Sequence, residues 1–217
     1  MWFNKLYIMV RNKILLVFVL VLSSILLTSC FSVRIEKAKY TVISKEGNFE
    51  VRQYQPQIVA ETIVDSDFDQ AGNIAFRRLF DYISGSNRTK ESISMTAPVN
   101  QSNESEKISM TAPVNQQKSE DKWVVSFLVP SKYTMETIPE PLDSNVTIRE
   151  IPAQTIAAVR YSGTWSKKRY ESHKSKLEQF ISDKQLQIIG EPIFARYDPP
   201  FQLWFLRRNE VLIPVRE

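Results

Sequence analysis

The sequence predicts an α+β domain: a distorted antiparallel β-barrel built from a ββαβ-type unit used twice, with two flanking helices. Three observations predict it. Short runs rich in β-branched and aromatic residues alternate with longer stretches of helical periodicity. Each helical stretch follows a pair of strand-like runs. The two halves also match at a fixed offset of 97 residues.

The N-terminal segment reads apart from that domain. Lys5, Arg11 and Lys13 precede Ile14–Leu27, fourteen residues without a charge. A membrane-crossing helix needs about 20 apolar residues, so this run is short for a permanent span. A basic start, a short apolar core and small residues after it describe an export signal. It ends in Leu27-Thr28-Ser29-Cys30, which resembles the lipobox of bacterial lipoproteins, whose cysteine carries diacylglycerol after cleavage. An uncleaved anchor and a plain secretory signal are the alternatives. The expected organisation is a signal peptide over 1–29, lipidated Cys30 with a tether over 30–39, and a folded domain over 40–217. Cys30 is the sole cysteine, so no disulfide or thiolate cluster forms within the chain. One acyl chain binds a membrane marginally and two or more bind it stably. The expected location is the cell envelope, lipid-anchored to a membrane. Phe31 and Ser32 follow the cysteine without an Asp, which favours the periplasmic side of the outer membrane in a host with two membranes.

Within the domain, Glu50–Tyr54 and Gln57–Val64 read as strands separated by Pro56. Phe68, Ala71, Ala75, Phe76, Leu79, Phe80 and Ile83 recur at helical spacing, giving a helix over about 67–84. Asp67 suits its N-cap and Gly85 its stop. Trp123–Val129, Val146–Ile151 and Gln154–Ser162 are strand-like. A second helix covers about 166–183, with Tyr170, His173, Leu177, Phe180 and Ile181 on one face. Ile193–Tyr197 and Glu210–Val215 close the chain as strands.

The duplication pairs Val51 with Ile148, Arg52 with Arg149, Gln57 with Gln154, Ala60 with Ala157 and Phe68 with Trp165, without a gap. The implied pseudo-repeats span about 48–129 and 145–215. Each unit leaves one sheet face bare, and pairing the two buries both. Ligands favour such junctions. A second repeat lies inside the first half, where Ser92–Gln101 reads SISMTAPVNQ and Lys107–Gln116 reads KISMTAPVNQ. Each copy alternates with period two and reads as a strand, the polar residues 100–106 forming the loop between them. Pro98 and Pro113 place both copies at an edge or a strand end. Met95 and Met110 either line a ligand groove, where thioethers adapt to flat surfaces, or pack in the core.

Charge narrows the function. The chain has 28 Lys and Arg against 24 Asp and Glu, and the signal segment takes away three cations and no acid. Nucleic-acid binding needs a concentrated positive face, and the pairs Arg77-Arg78 and Arg207-Arg208 and the triplet Lys167-Lys168-Arg169 read as solvated edges. No nucleic acid is expected. There is no GxSxG, HExxH or phosphate loop, so no enzymatic activity is expected.

Four motifs carry a resemblance: Glu50–Arg52–Tyr54; Tyr82-Ile83-Ser84-Gly85-Ser86-Asn87; ISMTAPV; and Arg196-Tyr197-Asp198-Pro199-Pro200 with Trp204 and Leu206–Val211. In this order they resemble the SOUL heme-binding protein family, from about Tyr40 to Val215. The resemblance implies a duplicated barrel with two helices, akin to bacterial effector-binding domains, and heme or another tetrapyrrole as ligand. It places the ligand against the first helix, at Asn73, Phe76, Arg77 and Phe80, and against the loop with Pro200 and Phe201. Studied members place basic residues at positions matching Asn73, Asp81 and Gln202, none of which is basic here. Arg77 and Arg78 are the substitutes at hand. The alternatives are a non-heme amphiphile binder and a structural or interaction lipoprotein. His173, the sole histidine, is the candidate heme-iron ligand, set against its reading as a half-buried packing residue.

Overall fold

The computed structural model describes residues 35–89 and 105–217. The signal segment, Cys30 and Met95 lie outside the described residues. In chain order the strands are β1 (Glu36–Lys37), β2 (Tyr40–Glu46), β3 (Phe49–Tyr54) and β4 (Gln57–Val64), followed by helix α1 (Phe68–Ile83). Then come β5 (Asn87–Arg88), β6 (Thr111–Ala112), β7 (Val114–Ser119), β8 (Lys122–Leu128), β9 (Glu140–Pro141), β10 (Val146–Ile151) and β11 (Gln154–Tyr161). Helix α2 (Lys167–Asp183), β12 (Gln187–Ile188), β13 (Ile193–Arg196) and β14 (Asn209–Arg216) complete the chain.

Both helices start where the sequence places them. The Asp67 carboxylate accepts from the Gln70 N–H at 2.8 Å, and the Ser166 hydroxyl from the Arg169 N–H. Gly85 follows α1 at φ +123°, a conformation that a side chain would strain.

The main sheet is antiparallel, in the order β10-β4-β8-β7-β13-β14-β11-β3-β2, with β12 added beside β14. Exchanging the halves (β3 with β10, β4 with β11, β7 with β13, β8 with β14) reverses this order from β10 to β3. Register repeats the symmetry. Gln154 opposes Tyr54 and Val159 opposes Phe49, while Gln57 opposes Ile151 and Thr62 opposes Val146. These are the same pairings moved by 97 residues. Each half therefore lends its first strand to the other half's second, and the halves meet at β7 and β13.

The expected barrel does not close. Edge strands β2 and β10 remain unpaired to one another among the described residues. Closure would desolvate Lys45 and Glu46 on β2, and Arg149 and Glu150 on β10, all exposed. A register shift between Val42 and Ser44 further blunts the β2 edge. Residue 113 marks a strand end, between β6 and β7, but β7 itself is central, not an edge.

One sheet face carries the main core. Ala71, Ala75 and Leu79 of α1 and Leu177 and Ile181 of α2 pack there with Val125, Val211 and Ile213. Phe68 stacks on Tyr170 at 5.5 Å and on Phe194 at 5.7 Å, joining the first turns of the two helices over β13.

Candidate functional site

Two of the sequence motifs, the first and the last, converge on one buried carboxylate. Arg52 on β3 donates two hydrogen bonds to Glu210 on β14, at 2.7 and 3.0 Å, and a third to Glu50 at 2.8 Å. Arg52 is 2% exposed and Glu210 0%. The Tyr197 hydroxyl donates to Glu210 at 2.9 Å, and Arg208 donates to it through two nitrogens. The Asp198 carboxylate receives the Arg208 N–H. Burial raises the Glu210 pKa, but hydrogen bonds and charge from Arg52, with Arg208 and Tyr197, outweigh it and hold the carboxyl below its ordinary range. The motif that ends α1 is also structural. Asn87 donates to the carbonyls of Tyr82 and Glu106 and accepts from the Glu106 N–H, pinning the chain as it returns toward β6.

The residues singled out as ligand contacts lie on the surface instead. Asn73, Phe76, Arg77 and Phe80 fall at i, i+3, i+4 and i+7 of α1, outside the buried stripe. Phe76 is 37% exposed and Phe80 45%. Their rings lie nearly parallel, 13° apart with centroids at 5.9 Å, and Phe76 rests edge-on against buried Phe127. Arg78 is not available as a substitute cation: it reaches Asp143 at 3.4 Å and the Thr62 hydroxyl at 2.7 Å. Arg77 is exposed beside Ile74 and Asp81 along a shallow cavity. Met110 is surface-exposed, in the segment that the Ile108 N–H ties to the Ile83 carbonyl at the end of α1.

The β13–β14 loop is the second exposed apolar element. Phe201 is 86% exposed, and Leu203, Trp204, Phe205 and Leu206 are each more than half exposed. Pro200 and Gln202 give their carbonyls to Arg207, which holds the loop from behind. Phe205 and Leu206 line a groove of about 480 Å³ together with Tyr40, Arg52, Arg207 and Glu210. This apolar run was readable as FQLWFL between Pro200 and Arg207, but of it only Phe201 was expected to touch the ligand.

Two side chains that sequence reasoning missed stand between helix and loop. Arg207 lies over the Trp165 ring at 4.5 Å, and Arg196 lies over the same ring at 5.5 Å. A Cβ on Gly72 would meet the Arg196 guanidinium at 2.6 Å, so the glycine is what lets the cation press against α1. Of the cationic runs, Arg207-Arg208 is not a solvated edge, since Arg207 covers Trp165 and Arg208 pairs with Glu210, whereas Arg77 and the Lys167-Lys168-Arg169 triplet are exposed.

His173 lies on the other helix. Its ring stacks on Tyr161 at 3.8 Å, 10° from parallel, and its Nδ1–H meets the Arg169 carbonyl at 2.8 Å. Burial lowers its pKa against the pull of that carbonyl. Among the described residues no cluster of three His, Cys, Asp or Glu side chains could hold a metal ion, and no helix is long and apolar enough to cross a membrane.

A twofold-repeated α+β sheet thus leaves aromatic side chains open on one helix and one loop. Residues 35–214 match the SOUL heme-binding protein family, and the chain belongs to it. It is 28% identical to heme-binding protein 2 of Mus musculus, over 80% of this chain and 85% of that protein. It is 25% identical to heme-binding protein 1 of Xenopus tropicalis, over 74% and 84%. Among solved structures, the C-terminal domain of EcmrR superposes with a TM-score of 0.55 at 15% identity, over 82% of this chain and 98% of that domain.

Proposed function

We propose that this protein binds heme or a related tetrapyrrole at the envelope, tethered through a diacylglyceryl Cys30, and buffers or delivers the ligand there. The flat ligand lies against Phe76 and Phe80 with Met110 at the edge, and the Phe201 loop covers it. The observation that carries this reading is the pair of parallel, half-exposed phenylalanines on α1. Two stacked aromatic side chains exposed together on one helix form an apolar patch of the kind that marks a binding surface. Family membership and the names of the relatives support the ligand class, and the signal-like N-terminus supports the tether.

The test is a hemin titration of the full chain in detergent micelles, read at the Soret band, with an unrelated lipoprotein as control. Saturable one-to-one binding near or below about 1 μM is expected. Phe76→Ser with Phe80→Ser should weaken it about tenfold or more, each ring contributing roughly 1–2 kcal/mol of apolar contact. Uptake that rises linearly, as in the control, would remove the tetrapyrrole reading.

A further inference from the structure

Arg196 sits at the end of β13, where the two halves meet and the helices begin. Its Nη2 donates to the Gln116 side-chain carbonyl at 2.9 Å, and Gln116 in turn donates to the Phe68 carbonyl at 2.8 Å. Its Nε is buried without a hydrogen-bond partner. Aromatic faces surround it, Phe194 at 5.4 Å and Trp165 at 5.5 Å. Arg52, Arg78, Arg149 and Arg208 each have a carboxylate within ion-pair distance. Arg196 has no such partner among the described residues, and Asp69 acts on it only through space. Desolvation accordingly lowers its pKa to about 10, a sign that the folded protein leaves this cation undercompensated. Arg207 adds a second guanidinium over the same Trp165 ring without an ion pair of its own among the described residues. Two cations on one ring, one of them largely desolvated, are unfavourable until an anion joins them.

We propose that Arg196 and Arg207, on either side of the Trp165 contact, bind a carboxylate of the ligand. This rests on the tetrapyrrole reading and supplies what that reading lacks, an anionic pole for the propionates. Phe76 follows Gly72 by one helical turn, about 6 Å, so a flat apolar body reaching Phe76 and Phe80 can place an acidic edge beside Arg196. The cation has moved from the helix face and loop positions at residues 73, 81 and 202 to the seam between the halves.

The experiment compares protoporphyrin IX with its dimethyl ester, both free of metal, binding to the full chain in micelles, with micelles alone as reference. The free acid should bind about tenfold or more tighter than the ester, the range of a charge-assisted hydrogen bond. Arg196→Gln should erase that preference and leave ester affinity in place, while Arg196→Lys should restore part of it. Arg207→Gln, in the loop, should reduce the preference and provides a second route if the β13 variant does not fold. Equal affinity of the wild-type chain for acid and ester overturns the proposal, as does an Arg196→Gln variant that weakens both alike. Saturable binding of neither porphyrin overturns the tetrapyrrole reading, and this proposal falls with it.

Discussion

Breaking the Arg52–Glu210 pair should be among the most destabilising single changes in the domain. Both groups are almost wholly buried, so either one left alone is a desolvated charge. Truncating one partner of such a pair costs about 3–5 kcal/mol. The neighbours set which end of that range applies. Glu210→Gln leaves Arg52 its bond to Glu50, and Arg52→Met leaves Glu210 its bonds to Arg208 and Tyr197. The lower end, about 3 kcal/mol, is therefore expected for each. At about 2–4 °C per kcal/mol for a domain of this size, each variant should melt about 6–12 °C below the wild-type chain. The double variant Arg52→Met with Glu210→Gln removes both charges of the pair and should cost no more than either single change. Urea unfolding of the four proteins closes the cycle. Additive losses, or single losses under about 1 kcal/mol, would show that the two motifs do not meet in a coupled lock.

Acid should act through the same carboxylate. Its folded pKa lies below the ordinary 4.5, so its contribution is present above that value and is lost as pH falls through the depressed one. The urea midpoint should drop below about pH 4.5, and Glu210→Gln should remove that share of the acid sensitivity. Replacing His173 with Ala should leave the Soret band of bound heme unchanged, because the imidazole is stacked on Tyr161 on the helix away from Phe76; a shifted band would return it to the site. Cys30→Ala should abolish metabolic labelling by a radioactive fatty acid and release the chain from the membrane fraction, whereas retention with label would place the lipid elsewhere.

The helices and most strands were legible because their burial is periodic. Of the α1 stripe, Phe68, Ala71, Ala75, Leu79 and Ile83 are buried as read while Phe76 and Phe80 face out, and Asp67 announces the cap. β2 and the two-residue β1, β5, β9 and β12 were not, and β7 was read only as far as Gln116. Most of β2 faces solvent, so it lacks the alternation that marks a half-buried strand. The polar run Asn115-Gln116-Gln117 hides a central strand, because Gln116 is buried for its hydrogen bonds to Phe68 and Arg196 and not for apolar contact. The open sheet was illegible for a related reason. Which edges pair depends on charges at β2 and β10 that look like ordinary surface in one dimension.

The site was legible only in its apolar half, and the lock explains why. Glu50–Arg52–Tyr54 is distant in sequence from Tyr197-Asp198 and Arg208–Glu210, and they have to agree with one another because one buried carboxylate joins them. Residues constrained in that way identify the fold. The ligand surface has no such mutual constraint: Asn73, Asp81 and Gln202 can stand without a basic side chain and leave the Glu210 network undisturbed, none of them being part of it. A cation needed for an acidic ligand can then arise anywhere along the rim, provided the backbone makes room. Gly72 makes that room for Arg196. Gly72→Ala should therefore displace the guanidinium, since a Cβ at 2.6 Å cannot coexist with it. The acid-over-ester preference should fall with little loss of ester affinity, and an unchanged preference would mean that the position of Arg196 does not matter to the ligand.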